Sequence, residues 1–276
     1  MEEIIKAIVF GAVQGLTEFI PISSTAHLRV VPALLGWKDE GAAFSAVIQM
    51  GTLLSTLIYF RKDIVNLTRG FIASLGKKDL IQNPESRIFL LIIIGTIPIG
   101  ICGLLFKGFI EGDARGLYVI SSSLILLAIV LFLAEKKGTR TKNFEDITVK
   151  DGIIIGLAQA LALIPGSSRS GVTITAGLFR GLKRDVTARY SFLLSIPAIG
   201  LSGLYELYSE REQLLKEDLV MMLVATAVSA VVGYAAIAFL IRYLKTHSNL
   251  VFIIYRILLG ITILTLLAQG VLSNLE

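Results

Sequence analysis

Residues 14–27 are Q-G-L-T-E-F-I-P-I-S-S-T-A-H, and they interrupt the first apolar run of the chain. The stretch contains a carboxylate, several hydroxyl groups, an imidazole and a proline. Ionisable side chains at membrane depth are costly and usually mark a functional site. Proline lacks a backbone donor and usually ends the helix before it. A helix that breaks among polar groups inside an apolar sequence indicates a ligand site in a membrane protein.

The composition is typical of a polytopic membrane protein. Of the 276 residues, 54% are hydrophobic and 17% are charged, and the mean hydropathy is +0.77. The net charge of +5 comes without a basic stripe that carries interleaved aromatic residues, so we expect no nucleic-acid partner. The single Cys102 excludes an intramolecular disulfide and any multi-thiol metal site.

Two short apolar segments flank the break. At a rise of about 1.5 Å per residue, residues 4–19 would form a helix of about 24 Å and residues 26–36 one of about 17 Å. Neither crosses a hydrocarbon core of about 30 Å. We therefore predict a re-entrant helix hairpin whose tip, residues 19–25, lies near the middle of the membrane. Such a tip is tolerated where it is buried in protein or lines a wet cavity.

The same pattern then occurs a second time. Three predicted spans, residues 42–60, 88–106 and 117–134, lead to a polar loop. From Gln159 the chain continues Q-A-L-A-L-I-P-G-S-S-R-S-G-V-T, in which P-G-S-S at Pro165 repeats P-I-S-S at Pro21. Gln159 corresponds to Gln14 with a slip of one residue. The second re-entrant hairpin is predicted within residues 156–182, and three further spans follow at residues 190–208, 219–241 and 251–270.

We predict an all-α polytopic membrane protein with a single membrane domain built as an inverted repeat. Each half is a re-entrant helix hairpin plus three transmembrane helices, with repeat one at 1–134, a cytoplasmic loop at 135–151 and repeat two at 152–276. Because three spans are an odd number and a hairpin does not change sides, the second copy starts on the opposite face. Broken helices in matching places put a site near the midplane. The alternative is that both proline–serine tips are ordinary loops.

Loop charges assign the two faces. Positive residues concentrate on one predicted face, which carries Arg61, Lys62, Arg69, Lys77, Lys78, Arg87, Lys136, Lys137, Arg140, Lys142, Lys150, Arg180, Lys183, Arg184, Arg189, Arg242 and Lys245. The opposite face carries Lys6, Lys38, Lys107, Arg115, Arg211 and Lys216. The richer face is cytoplasmic by the positive-inside rule. Both termini then lie outside, the first hairpin enters from the outside, and the second enters from the cytoplasm.

The first tip carries acid–base and metal-binding candidates. Gln14 and Glu18 are four residues apart and share one helix face. Their oxygens suit a hard cation such as Mg²⁺ or Ca²⁺; Glu18 could also act as a general base, or be a buried acid paired with an Arg. Helix N-cap or anion-binding roles are open to Ser23, Ser24 and Thr25. His27 is a candidate base, acid or phosphorylated nucleophile, or a satisfied core residue.

The second tip supplies a cation and flexible backbone. Glycines let N–H groups approach an anion closely, and the planar fork of Arg169 matches phosphate oxygens. Arg169 could alternatively form a salt bridge to Glu18. The phosphate-binding candidates of this tip are Gly166, Ser167, Ser168, Ser170 and Thr173. Together the tips suit phosphate chemistry at membrane depth. We attribute Arg256, in the last span, to snorkelling rather than to the site.

These motifs resemble those of one family. Gln14 and Glu18 resemble an [E/Q]-x-x-x-E motif, residues 165–173 resemble P-G-x-S-R-S-x-x-T, and S-S-T-x-H ends at His27. In this respect the chain is similar to undecaprenyl-diphosphatase, the bacitracin-resistance type of integral-membrane phosphatase. The resemblance covers most of the chain, including its length and its duplicated layout.

The resemblance implies a substrate, the C55 isoprenoid diphosphate released by cell-wall polymerisation, which is hydrolysed to the monophosphate and inorganic phosphate. It implies a divalent cation and a pocket that opens on the outer face of the bacterial plasma (inner) membrane. The central family residues match Glu18, Ser24, His27 and Arg169, and Ser168 and Thr173 match further motif positions. Gln14 stands where some members carry Glu, so Glu18 would supply most of the charge for a cation.

The resulting hypothesis is that Ser24 attacks the terminal phosphorus while Glu18 or His27 accepts its proton. Attack by His27 or by water stays open. The alternative function is a transporter or flippase for a lipid phosphate, because inverted repeats with broken helices are typical of secondary transporters. The expected partners are the isoprenoid diphosphate lipid and the bilayer. The sequence is compatible with a homodimer but does not fix the oligomeric state.

Overall fold

The computed structural model describes residues 2–38, 40–77, 80–214 and 219–274, which form helices and no β-strand. Of the charged loop residues considered above, Lys78 and Lys216 lie outside these ranges. The helices are α1 (Glu2–Phe19), α2 (Ser24–Leu35), α3 (Gly41–Tyr59), α4 (Arg61–Ser74), α5 (Pro84–Leu105), α6 (Lys107–Glu111), α7 (Leu117–Lys137), α8 (Val149–Gln159), α9 (Arg169–Phe179), α10 (Arg184–Ser209), α11 (Arg211–Leu214), α12 (Leu219–Leu244) and α13 (Leu250–Ala268). Short 3₁₀ helices lie at Asp113–Arg115 and Ala160–Leu163.

The chain is a multi-pass membrane protein. In the described ranges, five helices are long and apolar enough to cross a membrane, namely α5, α7, α10, α12 and α13. A sixth candidate is the pair of α3 and α4, whose segments Ala43–Tyr59 and Arg61–Ser74 are bent by 70°. The sequence predicted α3 within two residues but treated α4 as loop, because charges at Arg61 and Lys62 mask its helical period.

Both predicted hairpins are present as broken helix pairs. The first breaks between α1 and α2, and the second between α8 with its 3₁₀ extension and α9. Each second helix begins after a serine with positive φ, Ser23 (φ 76°, ψ 104°) and Ser168 (φ 67°, ψ 108°). Each serine hydroxyl accepts a hydrogen bond from the backbone N–H three residues later. Positive φ is costly for a residue with a Cβ, so the same strained cap at both tips indicates a common construction.

These caps correct the expected alignment of the two stretches. Pairing Ser23 with Ser168 brings Gln14 and Gln159 into register, since each glutamine precedes its cap by nine residues. The slip of one residue expected from the prolines is therefore wrong. Ser24 then corresponds to Arg169, so the two tips place different chemistry at the same position.

The helix packing follows a matching pattern in the two halves. α1 packs against α12 as α8 packs against α5, and α3 packs against α12 as α10 packs against α5. These are the pairs that the predicted inverted repeat requires if α1, α2, α3, α5 and α7 correspond to α8, α9, α10, α12 and α13. The repeat itself stays a prediction, and so do its boundaries.

Buried carboxylates hold the basic loops together on one face. Asp151 accepts hydrogen bonds from Lys142 (2.9 Å) and Arg180 (2.7 Å), and caps α8 through Thr148. Burial alone would raise the pKa of Asp151, but the hydrogen bonds from these groups outweigh it and lower the pKa from 3.8 to about 2. Glu135, at the end of α7, accepts in the same way from the guanidinium of Arg184. We refer to this side as the basic face.

The opposite side carries the start of α7 and the last described residues of the chain. The backbone N–H of Leu117, which begins α7, donates to the carbonyl of Asn274 (3.1 Å). Lys107, where α6 begins, pairs with Glu206 near the end of α10 (3.5 Å). We refer to this side as the terminal face. The two tips lie between the two faces, the first after α1 and the second after α8 and its 3₁₀ extension.

Candidate active site

The two tips meet around the carboxylate of Glu18. Its Oε1 accepts from the guanidinium of Arg169 and from Gln49 Nε2 (3.0 Å). Its Oε2 accepts from Gln14 Nε2 (2.9 Å) and from Ser24 Oγ (2.9 Å). The salt bridge to Arg169 that the sequence left open is therefore present. Four donors hold the side chain of Glu18, which is 6% exposed, in one orientation.

Ser24 and Glu18 have the geometry of a nucleophile and its base. Ser24 is the first residue of α2, where the helix start fixes its backbone and the half-buried side chain faces a cavity. Its hydroxyl already donates to Glu18 Oε2, so a proton can pass along an existing hydrogen bond. A hydroxyl within about 3 Å of a carboxylate is the arrangement that activates such a nucleophile.

Arg169 has capacity for a further ligand. Its Nη2 donates to Glu18, whereas its buried Nη1 has no hydrogen-bond partner among the described residues. The same holds for the buried hydroxyl of Ser167. Both residues line the same cavity as Ser24. Buried polar groups rarely stay unpaired, so these two groups indicate where anionic oxygens would bind.

The other predicted residues of the second tip set its backbone conformation and its packing against neighbouring segments. Gly166 has φ +86°, and a Cβ there would lie 2.4 Å from the carbonyl oxygen of Ile120 on α7. Ser168 caps α9, and Ser170 approaches the carbonyl of Ile20 in the first tip (3.5 Å). Of these residues, Gly166 and Ser168 line the cavity and Ser170 does not.

Thr173 lies outside the cavity lining, whereas the hydroxyl residues of the first tip belong to it. Thr173 Oγ1 donates to the carbonyl of Arg169 (2.8 Å) and contacts Ser191 Oγ on α10 (2.6 Å). These contacts tie the backbone of Arg169 to α10. Ser23 caps α2, and both Ser23 and Thr25 line the cavity. The phosphate-binding roles predicted for these residues stay predictions.

His27 lies behind the first tip rather than beside Ser24 in the cavity wall. Its Nδ1 donates to the carbonyl of Ser23 (2.7 Å) and therefore carries a proton. In the neutral ring, Nε2 accepts from the hydroxyl of Tyr255 on α13 (2.7 Å), and the two rings are stacked. His27 is not among the residues that line the cavity. Both nitrogens therefore serve to position the tip, while a catalytic role for His27 stays a prediction.

Arg256 connects the two tips, and the snorkelling interpretation is wrong. The side chain is fully buried. Its Nη2 donates to the carbonyl of Ser167 (2.9 Å), and longer contacts reach the carbonyls of Gly166 and Pro21 (3.4 Å each). One guanidinium on α13 thus binds backbone oxygens of both tips. The sequence contained this charge, but a single arginine in an apolar helix does not indicate which backbone it meets.

Gln49 is a second residue that sequence reasoning missed. It lies on α3 and donates to Glu18 Oε1. A lone amide in a predicted span was the available signal, since polar side chains in membrane helices usually face the protein interior.

A cavity of about 600 Å³ leads away from the tips. At its inner end lie Glu18, Ser24 and Arg169. Its walls come from α5 and α10 and are largely apolar: Ile99, Leu104, Ala198, Ile199 and Leu201. At the terminal face it ends beside Lys107, Tyr205 and Glu206. A polar inner end and an apolar channel suit an amphiphile with a charged head and a hydrocarbon tail.

The tips can contribute one protein ligand to a hard cation. Gln14 directs its amide nitrogen, not its oxygen, at Glu18. No group of three or more His, Cys, Asp or Glu side chains that could hold a metal ion occurs in the described part of the chain. These residues fit Mg²⁺ only if the oxygens of a diphosphate and of water complete the coordination of an ion bound to Glu18. That arrangement is common for this ion. The predicted metal-binding roles of Glu18 and Gln14 stay predictions.

Comparison with known proteins identifies the relatives of this chain. The chain is 56% identical over 277 aligned residues to an undecaprenyl-diphosphatase of Chlorobium phaeobacteroides (strain BS1), with 97% of this chain and 98% of the relative covered. It is 53% identical to an undecaprenyl-diphosphatase of Myxococcus xanthus (strain DK1622), with 99% and 92% covered. The family model "Bacitracin resistance protein BacA" matches residues 7–262. The chain therefore belongs to the bacitracin resistance protein BacA family.

Proposed function

We propose that this protein hydrolyses undecaprenyl diphosphate to undecaprenyl phosphate and inorganic phosphate, and so recycles the cell-wall carrier lipid. The observation that carries the proposal is the contact of Ser24 with Glu18, beside a partly unpaired Arg169, at the polar end of an apolar cavity. Curated relatives that are identical to this chain at more than half of the aligned residues are named for the same activity.

In the first step, Ser24 Oγ attacks the terminal phosphorus and passes its proton to Glu18 Oε2. The bond between the terminal phosphorus and the bridging oxygen breaks, and the prenyl monophosphate leaves. Arg169 Nη1 binds a non-bridging oxygen while Nη2 stays with Glu18, which places a fixed positive charge where negative charge develops. The buried hydroxyl of Ser167 supplies a further donor.

In the second step, water attacks the phosphoserine and Glu18 mediates the proton transfer. The bond between Ser24 Oγ and phosphorus breaks, the serine hydroxyl is restored and orthophosphate forms. His27 holds the carbonyl of Ser23, and thereby the start of α2, in place. Ser24 is favoured as nucleophile over His27 because Ser24 faces the cavity and contacts a base.

The prenyl chain lies in the apolar part of the cavity between α5 and α10, and the remainder of a C55 chain extends into the bilayer. Glu18 would be the protein ligand of a divalent cation bound together with the diphosphate, and such an ion would supply neutralisation of phosphate charge. The bacterial plasma membrane is the expected location. An outward orientation of the terminal face is supported by the collection of basic loops on the other side. The homodimer stays a prediction.

The test is orthophosphate release from undecaprenyl diphosphate by detergent-purified protein with Mg²⁺. Arg169→Ala should insert normally and lose nearly all turnover, whereas the matched change Arg211→Ala on the terminal face should have little effect. Near-normal turnover in Arg169→Ala would contradict the assignment of the site. Binding of the lipid without phosphate release by the wild-type protein would favour the alternative, a transporter or flippase.

A further inference from the structure

A second, smaller pocket lies beside Ser24. Its volume is about 180 Å³, and it shares Ser24, Thr25, Gln49 and Ser202 with the main cavity. Seven of its nine lining residues are polar; the full set is Gln14, Ser24, Thr25, Leu28, Ser45, Ala46, Gln49, Arg115 and Ser202. We call it the side pocket. A larger share of its wall is polar than in the main cavity.

The walls of the side pocket present donors. The amide NH₂ groups of Gln14 and Gln49 each carry two hydrogens, and each group donates one of them to Glu18. The backbone N–H groups of Ser24 and Thr25 are at the start of α2, where the Ser23 side chain caps only the next residue, Ala26. A helix start of this kind favours an anion.

Arg115 places a cation in the wall of the side pocket toward the terminal face. It ends the 3₁₀ helix that precedes α7 and is half-buried. Ser45 lies one turn into α3, and its hydroxyl donates to the carbonyl of Gly41. The side pocket therefore runs from the nucleophile toward the terminal face.

The size and polarity of the side pocket indicate which product of the reaction it can bind. At about 30 Å³ of liquid volume per water molecule, the side pocket holds on the order of six waters. That space accommodates a tetrahedral oxyanion and excludes a polyprenyl chain. The reaction forms such an oxyanion at Ser24, while the other product, a prenyl monophosphate, keeps its tail in the main cavity.

We propose that the side pocket binds inorganic orthophosphate and is its route from Ser24 to the terminal face. When water cleaves the bond between Ser24 Oγ and phosphorus, the serine keeps its oxygen and the released phosphate moves between the two glutamine amides toward Arg115. The two products thus leave in different directions. The proposal rests on the phosphatase function and adds a product site to it.

Product inhibition tests the proposal. Wild-type protein, Arg115→Gln and the pocket-filling variant Ser45→Leu are assayed for inhibition of prenyl diphosphate hydrolysis by added orthophosphate. We expect the inhibition constant for orthophosphate to rise at least about fivefold in both variants, while KM for the lipid changes less than twofold. Arg211→Gln, an arginine on the same face but outside the pocket, should leave both constants unchanged.

Direct binding separates this proposal from the phosphatase function. Equilibrium dialysis of the resting protein with labelled orthophosphate requires no turnover, so it tests the side pocket even if prenyl diphosphate is not a substrate. Saturable binding that weakens in Arg115→Gln and in Ser45→Leu supports the site. Equal binding and equal inhibition constants in wild type and both variants would overturn the proposal and leave the side pocket as a water channel.

Discussion

Arg256 offers a test of how the two tips are held together. The change Arg256→Met keeps a long side chain of similar reach and removes every hydrogen bond to the tips. The bond to the Ser167 carbonyl, at 2.9 Å, has normal length, whereas the contacts to Pro21 and Gly166, at 3.4 Å, are long. A hydrogen bond from a charged donor contributes about 1.5–3 kcal/mol.

The effect on stability should nevertheless be modest. Burying a guanidinium without a carboxylate partner carries a large desolvation cost, and methionine removes that cost together with the hydrogen bonds. We therefore expect the free energy of unfolding to change by less than about 2 kcal/mol. The effect on catalysis should be larger, because Arg256 holds Pro21 and Ser167 on either side of the reacting groups. A misplacement of about 1 Å costs on the order of 100-fold in rate.

The assay is steady-state phosphate release together with thermal unfolding in detergent. Arg256→Met should lower kcat about 100-fold with less than a threefold change in KM, because the residue does not line the cavity. Arg256→Lys should recover only part of kcat, since an ammonium is a point charge that cannot span both tips as a guanidinium does. Arg242→Met, at an exposed arginine in the last turn of α12, is the matched control. A wild-type kcat in folded Arg256→Met would refute the assigned positioning role.

Three further changes test other parts of the account. Glu18→Gln removes the proton acceptor of Ser24 and should lower kcat by about 100- to 10,000-fold with the protein still folded, as phosphate release and size-exclusion profiles would show. Gly166→Ala combines a positive φ with a clash at Ile120, so it should destabilise the protein by more than the roughly 1–3 kcal/mol of backbone strain alone. Gly36→Ala, at φ +68° with no atom near the added Cβ, is its control, and an equal loss of thermal stability in both would contradict the close packing. Asp151→Asn should lower Tm at pH 7. Because the folded-state pKa of Asp151 is about 2 rather than 3.8, its contribution is complete above about pH 4 and disappears toward pH 2. The Tm difference from wild type should shrink over that range, and a pH-independent difference would argue against the charge as its cause.

The sequence predicted the parts of the fold that depend on strong local signals. Proline and polar residues in apolar segments located both helix breaks, and apolar length located the spans. The same signals placed Glu18, Ser24 and Arg169 in one predicted site, because both helix breaks were predicted to lie near the middle of the membrane. The strained serine caps were not predicted, since serine at positive φ is uncommon.

What the sequence could not supply was the direction in which single side chains point. His27 lies one turn into α2, and its spacing from Ser24 is equally compatible with the cavity and with α13. Packing against Tyr255 decides between them. Arg256 was misassigned and Gln49 was missed for the same reason, because each is a lone polar residue whose partners lie far away in the chain. The amphipathic helix α4 was missed because its charged residues resemble a loop.

In the proposed mechanism, Ser24 forms the bond to phosphorus. The most direct measurement is rapid quenching with denaturant at neutral pH, which preserves both phosphoserine and phosphohistidine, of wild-type protein with prenyl diphosphate labelled in its terminal phosphate, followed by peptide mapping of the labelled protein. We expect label on Ser24, none in Ser24→Ala, and retained label on Ser24 in His27→Gln. Label on His27, or no labelled protein at any time during a turnover that releases phosphate, would contradict it.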